Sequence, residues 1–347
     1  MKISFWLTST TREMSENNWG KVPLGGAEIS ALNLGDELLR SGHKIVYYLQ
    51  RCKPFRRGNL SVEKHSGITN DGSDCFICVR PNPVLQRWFR RKILWSGDAF
   101  DQPSNDIFCN AQIAQSMAAF VFKSHWQKTK ILEKFPNIPP EKAFVIYNGI
   151  KAKSFEYLSQ TPIPHRFIHA STWYRGVLNF IDIWPRILDK YPDAEIHVFS
   201  KTELYSEWNS GDQRWRAIAE ALCKLPGMVL REPVPQWILA QEMRKAWLML
   251  YPNTGFVESS CGAALQSLAA GTPVIATKRA GLIETVGDFG HLVEERPGWQ
   301  NQFAEKTIEL CENENRRNFL GKLAREAVLQ QSWAHQAKKW DQFLGAL

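Results

Sequence analysis

A single carboxylate, Glu258, stands just ahead of Ser260, Cys261 and Gly262, which open an Ala-rich apolar run through Ala263, Ala264, Leu265, Leu268 and Ala269. A strand is expected to end near Pro252, a helix to begin near Ser259 or Ser260 and stop at Gly271, and Thr272 to start the next strand. The first turn of a helix leaves backbone N–H groups without intrahelical partners. Together with the helix dipole, those donors suit an anion such as a diphosphate. Gly262 lets a ligand come close to that turn, and Glu258 can accept hydrogen bonds from sugar hydroxyls. Gln266 follows eight residues later, about two turns along the same face.

Such groups need elements to hold them, and the chain supplies these by alternation. Short apolar runs rich in β-branched and aromatic residues read as strands buried on both faces: 2–7, 44–49, 75–80, 92–97, 118–124 and 143–148. Between the first two, GGAEISALNLGDELLRSGH has helical spacing and stops at Gly42. The pattern restarts at 166–171, 195–200, 228–234, 247–252 and 273–278, with Phe180, Ile183, Trp184 and Ile187 on one face of an intervening helix. KAKSFEYLSQTPIPHR, with two prolines and no period, reads as a linker between two α/β halves. Ligands of open parallel sheets bind at the carboxyl ends of the strands.

The segment 251–286 resembles the signature of glycosyltransferase family 4, in which a Glu, seven residues and a second Glu precede an Ala-rich turn and a Gly-Thr-Pro-Val strand. Glu258 matches the first acid and Gly271-Thr272-Pro273-Val274 the closing strand; the second acid is replaced by Gln266. In the family the first Glu holds the donor sugar and the second binds ribose hydroxyls, a task an amide can share without its charge. HASTWYRG resembles the opening of the family's second domain, which implies that Arg175, before Gly176, meets the donor phosphates. A guanidinium can grip two phosphate oxygens at once. Ser171 and Thr172 stand where many members carry an additional Arg, and Lys201, after the 195–200 strand, is a second phosphate candidate. PLGGAEISALNL resembles the family's Gly-Gly-Ala-Glu opening, where Gly25 and Gly26 would let phosphate or acceptor approach the backbone. FVIYNGI resembles the ending of its first domain. Many relatives place a His after a mid-domain strand. The matching ILWSGDAFDQ offers Asp98 instead, either accepting a bond from acceptor or sugar or capping a helix, and His125 follows the next strand.

The resemblance implies the GT-B architecture: two Rossmann-like, doubly wound domains facing an interdomain cleft. It divides the chain into an acceptor-side domain over 1–150, a donor domain over 151–330 and a last helix over 331–347 that crosses back to the first. It implies net retention at the anomeric carbon, a nucleotide-diphosphate sugar as donor substrate, no cofactor, and a saccharide or lipid-linked acceptor. The expected catalytic set is Glu258, Arg175 and Asp98. The expected donor set is Gly25, Gly26, Arg175, Lys201, Glu258, Ser260, Cys261, Gly262 and Gln266. No Asp-x-Asp triplet occurs, so no metal site is expected. Two rivals share these features. One is a nucleotide-sugar epimerase; the other is a nucleotide-sugar-binding subunit that has lost catalysis, which Gln266 and the missing His keep open.

Composition narrows the setting. A chain of 347 residues with 44% apolar residues can bury two cores, and no uncharged apolar stretch of about 20 residues occurs. The expected location is cytoplasmic. Seven scattered cysteines read as reduced thiols, and strand alternation should send Cys75 and Cys78 to opposite faces. Residues 1–150 hold 20 Lys and Arg against 13 Asp and Glu, the remainder 23 against 22, so the net charge of +8 sits almost wholly in the first half. That bias, with RWFRRKILW (87–95), fits a solvated basic face or peripheral contact with an anionic membrane surface. No nucleic-acid module accompanies it, and the absence of a G-x-G-x-x-G after an early strand argues against a nicotinamide-dependent dehydrogenase.

Overall fold

In a computed structural model the chain is described over residues 1–8, 13–21, 24–68, 72–156, 158–200 and 213–347. It separates into two compact units. One comprises Met1–Gly149 with Gln331–Leu347, the other the described residues from Ile150 to Gln330.

The first unit holds strands β1 (Lys2–Leu7), β2 (Lys44–Leu49), β3 (Phe55–Arg57), β4 (Leu60–Lys64), β5 (Cys75–Cys78), β6 (Lys92–Ser96), β7 (Ala119–Phe122) and β8 (Ala143–Val145). They form one sheet in the order β3-β4-β2-β1-β5-β6-β7-β8, parallel except for β3 against β4. Alternation divides its side chains between two cores. Ile3, Phe5 and Leu7 pack with Leu34 and Leu38 of the helix Gly26–Arg40 and with Trp333, Trp340 and Leu344 of the final helix Trp333–Ala346. Trp6 packs on the other face with Phe76, Phe108 and Phe135. Cys75 and Cys78 fall on these opposite faces, as a strand of period two requires.

The second unit is built on β9 (Arg166–Ala170), β10 (Glu195–Phe199), β11 (Met228–Arg231), β12 (Leu248–Tyr251), β13 (Val274–Thr277) and β14 (Gly290–Val293). Its sheet is parallel throughout, in the order β11-β10-β9-β12-β13-β14. This is the 3-2-1-4-5-6 order of the doubly wound dinucleotide-binding fold, with its topological switch point between β9 and β12. Helices cover both faces: Phe180, Ile183 and Trp184 lie with Phe167 and Leu250 on one, Ala264 and Leu268 with Ile168 and Met249 on the other.

Eleven of these strands coincide with the apolar runs. The edge strands β3 and β14, and β4 beside β3, do not, because they carry polar or half-exposed residues: Arg56 and Arg57 are exposed, Ser61 and Glu63 are half-buried, and so are Gly290, His291 and Leu292.

Candidate functional site

The loops leaving β9 and β12, on either side of the switch point, carry Arg175 and Glu258 respectively. Arg175 Nη1 lies 3.1 Å from Glu258 Oε1. Glu258 is buried at 3% exposure, so its charge is compensated by protein groups and not by bulk water. The second of those groups is Tyr251, the last residue of β12, whose hydroxyl lies 2.5 Å from the same Oε1. A carboxylate only accepts, so the phenol donates to it; Ser171 Oγ, 3.2 Å from the phenol oxygen, then donates to Tyr251. Burial, first of all, holds the Tyr251 phenol well above its ordinary pKa and keeps it a donor. On its other side Tyr251 stacks on His169 of β9, ring centroids 5.3 Å apart. His169 Nδ1 donates to the Leu250 carbonyl at 2.9 Å, and burial pushes its pKa down to about 4, so the ring is neutral at ordinary pH.

Two glycines make this geometry possible. Gly176 adopts φ +93°, and a Cβ there would lie 2.1 Å from the Pro252 carbonyl oxygen; the Arg175 loop therefore rests directly on the backbone leaving β12. Gly281 donates its N–H to the Glu258 carbonyl at 2.8 Å, and a Cβ there would lie 2.2 Å from the Ser259 carbonyl oxygen. Asn253 binds both the N–H and the C=O of Phe256 through its side chain, and Asn179 donates to the Pro252 carbonyl at 2.6 Å. The Arg175 guanidinium lies over the Phe256 ring at 4.3 Å, a cation–π contact that fixes its plane.

The helix expected near Ser259 or Ser260 begins at Gly262 and runs to Ala269. Cys261, its N-cap, directs its N–H to Thr285 Oγ1 at 3.3 Å, so this amide is not free for a ligand as the sequence suggested. A hydroxyl on the helix Leu282–Val286 reaches back to it, a contact that residues 251–271 alone do not announce. Nothing lies within 4 Å of a Cβ placed on Gly262, so the first turn stays open there. The Cys261 thiol is buried, which pushes its pKa up to about 12 and leaves it inert. Gln266 Oε1 is buried and bonds to no described group.

The remaining candidates lie elsewhere. Gly25 caps the helix Gly26–Arg40, and the space above a Cβ at Gly26 is open. Asp98, after β6, is buried; its carboxylate accepts from Ser104 Oγ at 2.9 Å and lies 3.7 Å from Arg80 Nε. It does not cap the following helical segment Pro103–Cys109, which starts after Gln102. His125 is exposed in the first turn of the helix His125–Lys134. Lys201 lies outside the described residues. Sequence reasoning missed Tyr251, His169 and Gly281. A tyrosine ending a buried strand was the available signal for the first, whereas Gly281 looked like any loop glycine.

Residues 165–313, which include Arg175, Glu258 and Gln266, match the family model described as Glycosyl transferases group 1. The protein is a glycosyltransferase. Solved structures share the fold over nearly the whole chain. Sucrose-phosphate synthase (tll1590) from Thermosynechococcus elongatus aligns with a TM-score of 0.77 at 14% identity, over 99% of this chain and 98% of that one. A glycosyltransferase from Rickettsia africae ESF-5 gives 0.73 at 14% identity, over 99% and 98%. Anabaena Alr3699/HepE, solved in complex with UDP-glucose, gives 0.72 at 15% identity, over 100% of both chains. No curated protein sequence matches the chain. The transferase thus has the GT-B fold, and sugar transfer is its chemistry.

Proposed function

We propose that the transferase takes its sugar from a nucleoside-diphosphate donor and transfers it with retention at the anomeric carbon, Glu258 orienting the sugar and Arg175 neutralising the departing diphosphate. The observation that carries this is the cluster of half-buried Arg175 with buried Glu258 and Tyr251 at the switch point, beside the open first turn at Gly262. The Anabaena neighbour's complex with UDP-glucose supports the donor class.

As the bond from the anomeric carbon to the diphosphate oxygen breaks, negative charge grows on the leaving group. A guanidinium has five donors, so Arg175 can hold Glu258 through one nitrogen and offer others to phosphate oxygens. The helix amides beyond Cys261 add donors that are already oriented, so little reorganisation is needed. Glu258, its Oε1 engaged by Arg175 and Tyr251, has Oε2 to accept from a sugar hydroxyl. The acceptor oxygen bonds to the same face of the anomeric carbon, and its proton passes to the departing phosphate. Gln266, with its unpartnered Oε1, suits a ribose hydroxyl. Neutralisation by side chain and backbone, with no metal, accords with the absence of an Asp-x-Asp triplet.

Calorimetry with nucleoside diphosphates tests the donor side. Arg175→Ala should weaken the best-binding diphosphate by about 30- to 100-fold, the loss of a charge-assisted contact worth about 2–3 kcal/mol. Unchanged affinity would remove Arg175 from the phosphate site.

A further inference from the structure

Two lysines are buried among the described residues, and they differ in kind. Lys92 is structural, donating to the Leu85 carbonyl at 2.9 Å and to Ser116 Oγ at 2.6 Å. Lys123, 4% exposed directly after β7, forms no hydrogen bond or ion pair through its ammonium with a described group; its contact is the Trp95 ring face, 5.2 Å away. The side chain is buried but its Nζ is not among the enclosed atoms that lack a partner, so the ammonium reaches the surface at its tip, where a group from outside can pair with it. Gly97 keeps the place open: a Cβ there would come 3.1 Å from Lys123 Nζ.

The surroundings suggest what completes it. The strands β5, β6 and β7 are neighbours in the parallel sheet, and the residues just past their carboxyl ends are Arg80, Asp98 and Lys123. Asp98 is already bonded to Ser104 and lies near Arg80. The charged groups that act on Lys123 are Arg80, Asp98 and Glu28, and their two carboxylates do not offset desolvation, which comes first and brings the ammonium down to about 8. Carboxyl strand ends are where such sheets bind ligands.

We propose that Lys123, with Arg80 beside it, forms a subsite for a negatively charged group, a carboxylate or a phosphate, carried by the acceptor of the transferase. The subsite deepens the reading of the chain as a transferase whose acceptor side is its first unit, since it names the acceptor's chemistry. An acidic sugar supplies a carboxylate and a lipid-linked or glycerol-based acceptor a phosphate; both present anionic oxygens to an ammonium and a guanidinium.

The test is calorimetry on the full chain without donor, using glucose, glucuronate and glycerol phosphate as probes. At least one anion should bind the unmodified protein tenfold or more tightly than glucose, and which one identifies the source of the charge. Lys123→Met should reduce that preference to under twofold while nucleoside-diphosphate affinity is retained and the melting temperature does not fall. Lys123→Gln, which keeps a polar head, gives the same readout should the Met variant fold poorly. Preference intact in both variants, or no preference in the unmodified protein, overturns the subsite. Failure of nucleoside diphosphates to bind the unmodified protein would instead overturn the donor reading, and the two outcomes are read separately.

Discussion

At the scale of single residues, Glu258 is held from two sides, and the two contacts have different jobs. Arg175 supplies the opposite charge that a carboxylate at 3% exposure requires. Tyr251 supplies direction, because the hydroxyl at 2.5 Å leaves Oε1 occupied and Oε2 as the acceptor. Glu258→Gln should therefore lower kcat by about 100-fold or more, with a cooperative melt retained, because Gln keeps the volume and loses the charge-assisted contacts. Tyr251→Phe keeps the stack on His169 and removes one hydrogen bond, so kcat should fall by about tenfold, matching the ~1.4 kcal/mol of one such bond. Steady-state rates with a fixed acceptor check both; turnover unchanged in the Gln variant would exclude Glu258 from the reaction. The pairing of Arg175 with Glu258 joins residues 83 positions apart in the sequence. Each was visible as a candidate because an Arg before Gly and an acid before a helix start are local patterns. Their mutual ion pair was not visible, since no local pattern encodes which two loops of a sheet meet.

At the scale of elements, the loops are as constrained as the side chains they carry. Gly176→Ala would force a Cβ onto the Pro252 carbonyl at a backbone angle that L-residues avoid, and Gly281→Ala would press on the carbonyls of Glu258 and Ser259. Each should cost roughly 2–4 kcal/mol in the unfolding free energy, and activity should fall further than stability because the displaced backbone is the one bearing Arg175 or Glu258. Chemical denaturation beside activity measurement separates the two effects. The same sheet makes the second unit acid-sensitive. The pKa of His169 is lowered to about 4 by burial, and those of His197 and His291 are lowered for the same leading reason. Between the unfolded value of about 6.5 and the folded one, the unfolded chain binds protons that the folded chain refuses. Stability is therefore full above about pH 6.5 and declines as pH falls toward 4. His169→Phe should flatten that decline by on the order of 2–3 kcal/mol in a denaturant series from pH 7 to 4.5, and an unchanged slope would exonerate the ring. Element legibility followed burial. Central strands had to be apolar on both faces and stood out in the sequence. The β3–β4 hairpin sat at an edge with Arg56 and Arg57 outward, although its Gly58-Asn59 turn was a readable hairpin signal.

At the scale of the whole molecule the unevenness of charge is the feature that the candidate site around Glu258 does not use. The first 150 residues carry seven more basic than acidic groups, 20 against 13, and the rest one more, 23 against 22. Within that basic half the run 87–95 resolves into two sets. Phe89 stacks on Phe76, Trp95 sits edge-on to Trp340, and Lys92 is bonded inside, so half of the motif is core. Trp88 is 73% exposed, with Arg87 and Arg90 exposed on either side. An indole in water flanked by guanidinium groups has the composition of an interfacial anchor, the ring entering the headgroup region while the cations meet anionic lipid. No helix among the described residues is long and apolar enough to cross a membrane, so any attachment through these groups is peripheral. Co-sedimentation with phosphatidylserine-containing vesicles should show binding at low salt that falls steeply toward high salt, as contacts to a charged surface are screened within a Debye length. Trp88→Ala should weaken it by several-fold without altering the salt slope, whereas Arg87→Gln with Arg90→Gln should reduce the slope itself. Absence of binding at low salt would leave the excess charge as a solvated basic face.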